Sequence, residues 1–380
     1  MIKVLLIEGG DQQVLPMAKS FKELGCHVTT YNTNKLVPGY ASKYPDKKII
    51  AFFDEKEPEK SYQAIKEVLQ NGDYDMVIPL NDYVAAVLSK HKEEFSAYAK
   101  MEVNDWDIFQ RASDKANTMG ICMKNNIPCP KTYAKMEEFL KDDTCSYPIV
   151  IKPRTGQGAV GFHVSENKED AVAYYEGATK KFGPCLIQEY IPQTDLQYKA
   201  EIYIDRDGEM KAACVFAKLR WYPINGGSST LNKTVDRPDI IDSCGKLLKQ
   251  MGWRGYADID LIQDPRDGVA KIMEINPRIT GSVKICYEAG VNFSKLIMQD
   301  YLGEPVDRMF NENFDTYLRY FHKDILWFIK SKDRFKTKPS WFSFKNCTDQ
   351  IFSWCDMMPF FAYSVLSIKK LKEDKKKRSV

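Results

Sequence analysis

Histidine is scarce in this chain: only positions 27, 91, 163 and 322 carry it, and none shares a motif with another ligand type. A histidine-based zinc centre and a Ser-His-Asp hydrolase therefore have little to build on. No C-x-x-C pair occurs. The ten cysteines are scattered at 26, 122, 129, 145, 185, 214, 244, 286, 347 and 355, as expected of reduced, mostly buried thiols in a cytoplasmic protein. No apolar run approaches the about 20 residues of a membrane-crossing helix. The longest uncharged stretch near the C-terminus, residues 357–368, is interrupted by Pro359. The first ten residues show no signal-type apolar region with a small-residue cleavage site, and read as a first strand. Charge of one sign is nearly absent: 55 Lys and Arg against 52 Asp and Glu leave +3, too little to imply a nucleic-acid surface. With no internal repeat and no low-complexity linker, 380 residues at 44% hydrophobic and 28% charged describe two or three globular domains.

What is present begins with a parallel α/β pattern. Residues 2–7 form an apolar run ending in Gly9-Gly10, and Val14, Met17, Ala18, Phe21 and Leu24 then recur at helical spacing. Further strands are expected at 28–31, 49–53 and 75–80, with a helix over 61–70, so the first hundred residues read as doubly wound. Gly9-Gly10 lacks the G-x-G-x-x-G spacing of a dinucleotide site and reads as a tight turn. Asn81-Asp82 falls at the carboxyl end of the fourth strand, where α/β sheets bind ligands; helix capping is its commoner role.

From Trp106 the texture changes. Ser113 is placed to cap a helix that starts at Lys115, and a strand over 148–153 runs into Arg154-Thr-Gly-Gln-Gly-Ala-Val-Gly161. Gly156, Gly158 and Gly161 let backbone N–H groups of that loop approach an anion, yet it lacks the G-K-[ST] ending of a Walker A loop. Strands follow at 162–164 and 185–191, then a hairpin over 199–216, a helix over 239–251, and a second hairpin of 255–262 with 269–276. Strands arriving as hairpins mark an α+β region after the α/β start.

The second hairpin carries the chemistry. Asp258 and Asp260 lie two apart on one strand, and Glu274 and Asn276 two apart on the other, so each pair shares a face among apolar neighbours. Carboxylates in such strands need a counter-charge, and oxygen donors from facing strands suit Mg²⁺ shared with nucleotide phosphates; decoration of a solvent face is the alternative. Arg278 follows at once, and Lys115 and Lys152 lie upstream in special settings. Together they supply two ammonium groups and a guanidinium around a metal, as phosphoryl transfer requires.

Ser113-Asp-Lys115, Lys152-Pro-Arg-Thr-Gly-Gln-Gly-Ala-Val-Gly161, Gln188-Glu-Tyr-Ile191, Asp260 and Glu274-Ile-Asn-Pro-Arg278, in that order, resemble the ATP-grasp superfamily over about residues 1 to 305. Within it the chain looks most like the carbamoyl-phosphate-synthase-like carboxylate–amine ligases. The resemblance implies an α/β plus α+β protein: a Rossmann-like pre-ATP-grasp domain over 1–112, an ATP-grasp domain over 113–305 with subdomains meeting near 190, and a mainly helical, aromatic-rich appendage over 306–380. It implies ATP and two Mg²⁺ ions, with Mn²⁺ as a substitute. Lys115 and Lys152 would meet the phosphates under the Gly156, Gly158 and Gly161 loop. Gln188, Glu189, Tyr190 and Ile191 would form the adenine hinge, with Asp195 on the ribose. Asp260, Glu274 and Asn276 would bind metal, Asp258 being more doubtful, and Arg278 would steady the transferred phosphoryl group.

After a strand, Lys218-Leu-Arg220 and Gly226-Gly227-Ser-Ser-Thr230 offer donors for a carboxylate or acyl phosphate, making Arg220 a catalytic candidate, with a surface turn as the plainer reading. Residues 306–380 are rich in aromatics and close on a tail, 369–380, with seven Lys/Arg against two Asp/Glu. Either the aromatics pack on the body and the tail is solvated, or the segment touches an anionic membrane, placing a cytoplasmic protein at the inner membrane face. The expected function is an ATP-dependent ligase, ADP-forming, that activates a small-molecule carboxylate as an acyl phosphate for attack by an amine. The alternatives are a carboxylase-like or kinase-like enzyme, and a membrane-associated nucleotide-binding accessory protein. No nucleic-acid partner is expected, and self-association stays open.

Overall fold

The computed structural model describes residues 1–156, 160–193, 196–224 and 227–378, with side chains as far as Ile368. Gly158, Asp195 and Gly226 and the side chains of the basic tail lie outside the described residues.

The N-terminal apolar runs pair as β1 (Lys3–Ile7), β2 (His27–Asn32), β3 (Lys47–Ile50), β4 (Met76–Pro79) and β5 (Lys100–Met101), all parallel in the order β3-β2-β1-β4-β5. Val4 to Ile7 are all 0% exposed because both faces of the sheet are covered, which is why β1 reads as continuous rather than alternating. The third strand lies earlier than the expected 49–53. As an edge strand it takes Lys47-Lys48 into the ladder, and Ala51 and Phe53 pack beyond its end.

A smaller antiparallel sheet follows: β6 (Thr132–Tyr133), β7 (Ile149–Pro153), β8 (His163–Ser165) and β9 (Cys185–Glu189), in the order β6-β9-β7-β8. The third sheet contains β10 (Gln197–Ile204), β11 (Met210–Tyr222), β12 (Ser228–Thr234), β13 (Gly255–Gln263), β14 (Ala270–Asn276), β15 (Met309–Phe310), β16 (Tyr317–Arg319) and β17 (Cys347–Asp349). Its order is β14-β13-β10-β11-β12-β16-β17, with β15 on β11. Residues 306–380 thus add strands to the large sheet as well as the helices Phe321–Lys330 and Met358–Arg378. Sequence alternation did not reveal these strands, which are only two or three residues long.

The two larger sheets share one core. Val4, Leu6 and Ile78 from the first meet Tyr203, Phe216 and Tyr256 from the third, joined by Leu318, Tyr320 and Ile351 of the C-terminal segment. The opposite face of the large sheet packs under the helices Trp106–Ser113, Lys115–Lys124 and Pro238–Met251.

Candidate active site

One partly buried ion pair sets the phosphate end of the site. Arg154, just after β7, grips Asp114 through Nε and Nη2, with contacts of 3.0, 3.0 and 2.6 Å. Asp114 also caps the helix Lys115–Lys124 by accepting from the Ala116 N–H at 2.9 Å. The cap is therefore Asp114 and not Ser113, which ends the preceding helix; a carboxylate held by Arg154 outcompetes a hydroxyl one residue earlier. The Lys115 N–H donates to the Arg154 carbonyl at 2.9 Å, so helix start and glycine loop are joined. Lys115 Nζ then reaches Glu274 Oε2 at 3.2 Å and the Gly156 carbonyl at 2.8 Å. Lys152 lies beside both: burial, helped by the Lys115 charge and opposed by Glu274, lowers its amine to about 8. Gly161 anchors the far end of the loop at φ +73°, where a Cβ would stand 2.9 Å from both Phe182 and Pro153.

The metal end lies on the face of the large sheet that is apolar at Tyr203 and Tyr256 and turns polar toward β14. Asp258 faces Asn276 and Asp260 faces Glu274 across the β13–β14 ladder, after which a bulge restores pairing at Leu261 and Ile272. The expected trio Asp260, Glu274 and Asn276 does share this face. However, Asp260 is gripped by Lys218 at 2.5 Å and Lys199 at 3.3 Å, and Asn276 donates Nδ2–H to Asp258 at 2.7 Å and to Asp260 at 3.0 Å. Among the described residues no three His, Cys, Asp or Glu side chains converge as a metal cluster. Two lysines on the neighbouring strands supply the counter-charge. Burial opposes ionisation of Asp260, yet Lys199 and Lys218 hold its carboxyl well below the usual range. Lys199 is likewise held above its ordinary value by Asp258 and Asp260 against the opposing effect of burial.

Opposite Asp258 on β10, Glu201 is 0% exposed and accepts from Thr280 Oγ1 at 3.4 Å and Cys286 Sγ at 3.2 Å. Burial first, then repulsion by Asp258, pushes its carboxyl from 4.5 up to about 7. A raised carboxyl stabilises the fold fully below its unfolded value, and this contribution is lost as pH rises through the folded value. Glu201→Gln is therefore expected to flatten the fall of Tm between about pH 5 and pH 8 and to stabilise the chain by on the order of 1 kcal/mol at the upper end. An unchanged pH slope in thermal denaturation would remove this account.

The hinge residues are held by hydrogen bonds. Gln188 is buried and donates to Thr132 Oγ1 at 2.8 Å, while the Glu189 N–H donates to the Lys131 carbonyl at 2.8 Å. The Glu189 carboxylate accepts from Arg266 at 2.5 Å, tying the small sheet to the β13–β14 turn. β9 ends at Glu189, so Tyr190 and the buried Ile191 lie in the link leaving the sheet.

Asn81 caps the helix Asp82–Lys90, and Asp82 pairs with Arg278 at 2.8 Å, bringing the first sheet's carboxyl edge to the site. Burial opposes the Arg278 charge, Asp82 outweighs it, and the guanidinium stays above its ordinary value. Arg278 Nε is buried with no hydrogen-bond partner. Arg220 departs from its expected role. Its side chain is 1% exposed and its guanidinium is bound by Asp324 at 2.8 and 3.0 Å, so it is held in the contact with the C-terminal segment and shows no face to a substrate. Lys199 and Glu201 escaped the sequence reading, although Gln197-x-Lys199-x-Glu201 shows the same one-face spacing as the acids.

This geometry agrees with comparisons to known proteins. The model of the ATP-grasp domain matches residues 112–282. A D-aspartate ligase of Enterococcus faecium is 27% identical over 341 residues, spanning 82% of this chain and 78% of that protein. The carbamoyl phosphate synthase large chain of Methanobrevibacter smithii is 23% identical over 56% of this chain, a match covering 20% of its own length. In fold, the biotin carboxylase domain of Hydrogenobacter thermophilus 2-oxoglutarate carboxylase superposes with a TM-score of 0.68 at 18% identity, covering 83% of this chain and 73% of that one. With its phosphate lysines and acidic hairpin face set on that fold, the chain matches the ATP-grasp domain over residues 112–282 and is similar over most of its length to a D-aspartate ligase.

Proposed function

We propose that the protein activates the carboxylate of an amino-acid-sized substrate with ATP and joins it to an amine. The observation that carries this reading is Lys152, an amine lowered to about 8 by burial and set beside Lys115 and Glu274 at the root of the glycine loop. A desolvated ammonium ion next to a second one suits a polyphosphate, whose charge compensates both. Arg278, whose Nε is buried without a hydrogen-bond partner, brings a further positive charge to the acidic face near Asp258. In this reading residues 1–112 supply the wall bearing Asp82, residues 113–305 grip the nucleotide, and residues 306–380 brace the large sheet. Ten free thiols suit a reducing cytoplasm, and the basic tail makes an anionic membrane surface a partner.

A carboxylate oxygen attacks the γ-phosphorus, the bond to the β–γ bridging oxygen breaks, and ADP leaves. The amine nitrogen then attacks the acyl carbon: a C–N bond forms, the C–O bond to phosphate breaks, and phosphate leaves as the nitrogen sheds its proton to solvent. Lys115 and Lys152 neutralise phosphate oxygens, and Arg278, oriented by Asp82, holds the transferring group. Asp260 and Glu274, with Asn276 once its amide is turned to present oxygen, would hold Mg²⁺, which supplies further charge neutralisation. Lys199 and Lys218 keep Asp260 ionised and oriented.

The test is product analysis over an amino-acid panel with ATP, Mg²⁺ and hydroxylamine as trapping amine. D-Aspartate stands first because a D-aspartate ligase is among the relatives. ADP, phosphate and a hydroxamate are expected. Formation of AMP and pyrophosphate would overturn the mechanism.

A further inference from the structure

We propose that the C-terminal segment is a built docking face for an anionic lipid bilayer, made of a bare apolar helix stripe, an exposed aromatic shelf and two basic clusters. This deepens the membrane contact proposed above, which rested on the tail alone. The helix Met358–Arg378 is fixed inward, where Tyr363 OH accepts from Gln12 at 3.2 Å and lies 2.5 Å from Tyr320 OH. Outward it leaves Met358 63%, Phe361 55%, Val365 46% and Ile368 54% exposed. Those positions fall at i, i+3, i+7 and i+10, one half-exposed stripe of the helix.

Ring contacts carry the patch onward. Phe360 touches Phe361 and Phe352, and Phe352 touches Trp354, which is 83% exposed. Through Phe321, Trp341 and Phe328 the chain of rings reaches Phe335, Phe342 and, by way of Arg319, Phe344, which are 73%, 59% and 63% exposed.

The charge supports one occupant. Residues 330–345 hold six Lys/Arg and one Asp, and residues 369–380 hold seven Lys/Arg and two acids, each segment a net +5. Since the whole chain is +3, its other 352 residues sum to −7, and the positive charge is concentrated in the segment that also exposes the apolar surface. Among the described residues Lys330, Lys332, Lys336, Lys338 and Lys345 form no ion pair with a carboxylate. A second copy on this face would oppose like charges, and although the exposed rings could stack on bases, a nucleic acid would leave the aliphatic stripe of Met358, Val365 and Ile368 uncovered. An anionic bilayer accepts both the cations at its headgroups and the apolar stripe at its acyl boundary. No helix among the described residues is long and apolar enough to cross a membrane, so the contact is in-plane.

The experiment is co-sedimentation of the full chain with phosphatidylcholine vesicles, with and without about one-third phosphatidylglycerol. Binding is expected only with the anionic lipid, weakened by salt, and reduced about tenfold or more in Phe361→Ser/Val365→Ser and in Lys336→Gln/Lys338→Gln. Absence of binding by the parent chain, or unchanged binding by both variants, would overturn the proposal. So would binding of single-stranded RNA or self-association on this face without vesicle binding. ADP release measured without vesicles should be unaltered in both variants. Failure of the ligase reading would appear there alone, with vesicle binding intact.

Discussion

Lys152→Ala is expected to lower ADP release about 100- to 1000-fold, while the melting temperature holds or rises slightly. The two outcomes have one cause. Burial, with Lys115 adding repulsion, lowers the Lys152 amine from 10.5 to about 8, so at neutral pH the folded chain carries a charge in a place that disfavours it. A depressed lysine destabilises the fold below its folded value, and the penalty fades as pH rises toward the unfolded value. Removing the side chain relieves that penalty and removes the ammonium that an ATP phosphate would pair with. The same value predicts that kcat/KM for ATP declines as pH passes about 8, and that Lys152→Arg, always charged, flattens the decline. Steady-state kinetics with circular dichroism on the same samples separates the effects. Activity near the parent level in Lys152→Ala would remove this lysine from the site, as would a collapse of the fold that explained the lost activity. Glu274→Ala should lose turnover to a similar degree, because Glu274 is the carboxylate that meets Lys115 on the acidic face.

How much of this could be read without a structure follows from the range over which the signals act. Period-two spacing put Asp258 with Asp260 and Glu274 with Asn276 on one face, and their joining turn is short, so the structure finds them opposite one another. The start of the helix at Lys115 was likewise legible from local composition. Lys199 was not, because β13 pairs with β10, about sixty residues earlier in the chain, rather than only with its hairpin partner. No spacing rule announces that Lys199 opposes Asp260 across that ladder. Ser113 and Asp114 are equally good caps by type, and only the arrival of Arg154 from the next strand chooses between them. The short C-terminal strands are set by the strands they join, β16 by the edge of β12, β17 by β16 and β15 by β11, rather than by their own residues. The exposed stripe of the last helix was hidden in a run that looked merely apolar.

Asp324→Ala should destabilise the chain by about 3–5 kcal/mol, the cost of leaving buried positive charge without its partner. Asp324 is 0% exposed, binds the Arg220 guanidinium at two points, accepts from Thr230 Oγ1 at 2.8 Å and stands 3.4 Å from Arg319 Nε. Burial already lowers the Arg220 pKa, with Asp324 acting against it, so without the carboxylate two guanidinium groups share an apolar pocket beneath Trp327 and Trp341. The loss should appear first where β16 and β17 and the helix Phe321–Lys330 attach to β12, as faster amide exchange there at a denaturant concentration the parent tolerates. Arg220→Met/Asp324→Leu should recover part of the stability, because an apolar pair of similar volume removes two of the three charges, leaving Arg319, which also donates to the Ser343 carbonyl at 3.0 Å, without its carboxylate. Arg220→Met also tests the placement of this arginine in the buried pair rather than at a substrate. A substrate-binding arginine, as the sequence suggests, would cost kcat/KM with stability kept. The buried pair predicts the reverse: a lower Tm from the stranded Asp324, with ADP release per folded molecule near that of the parent.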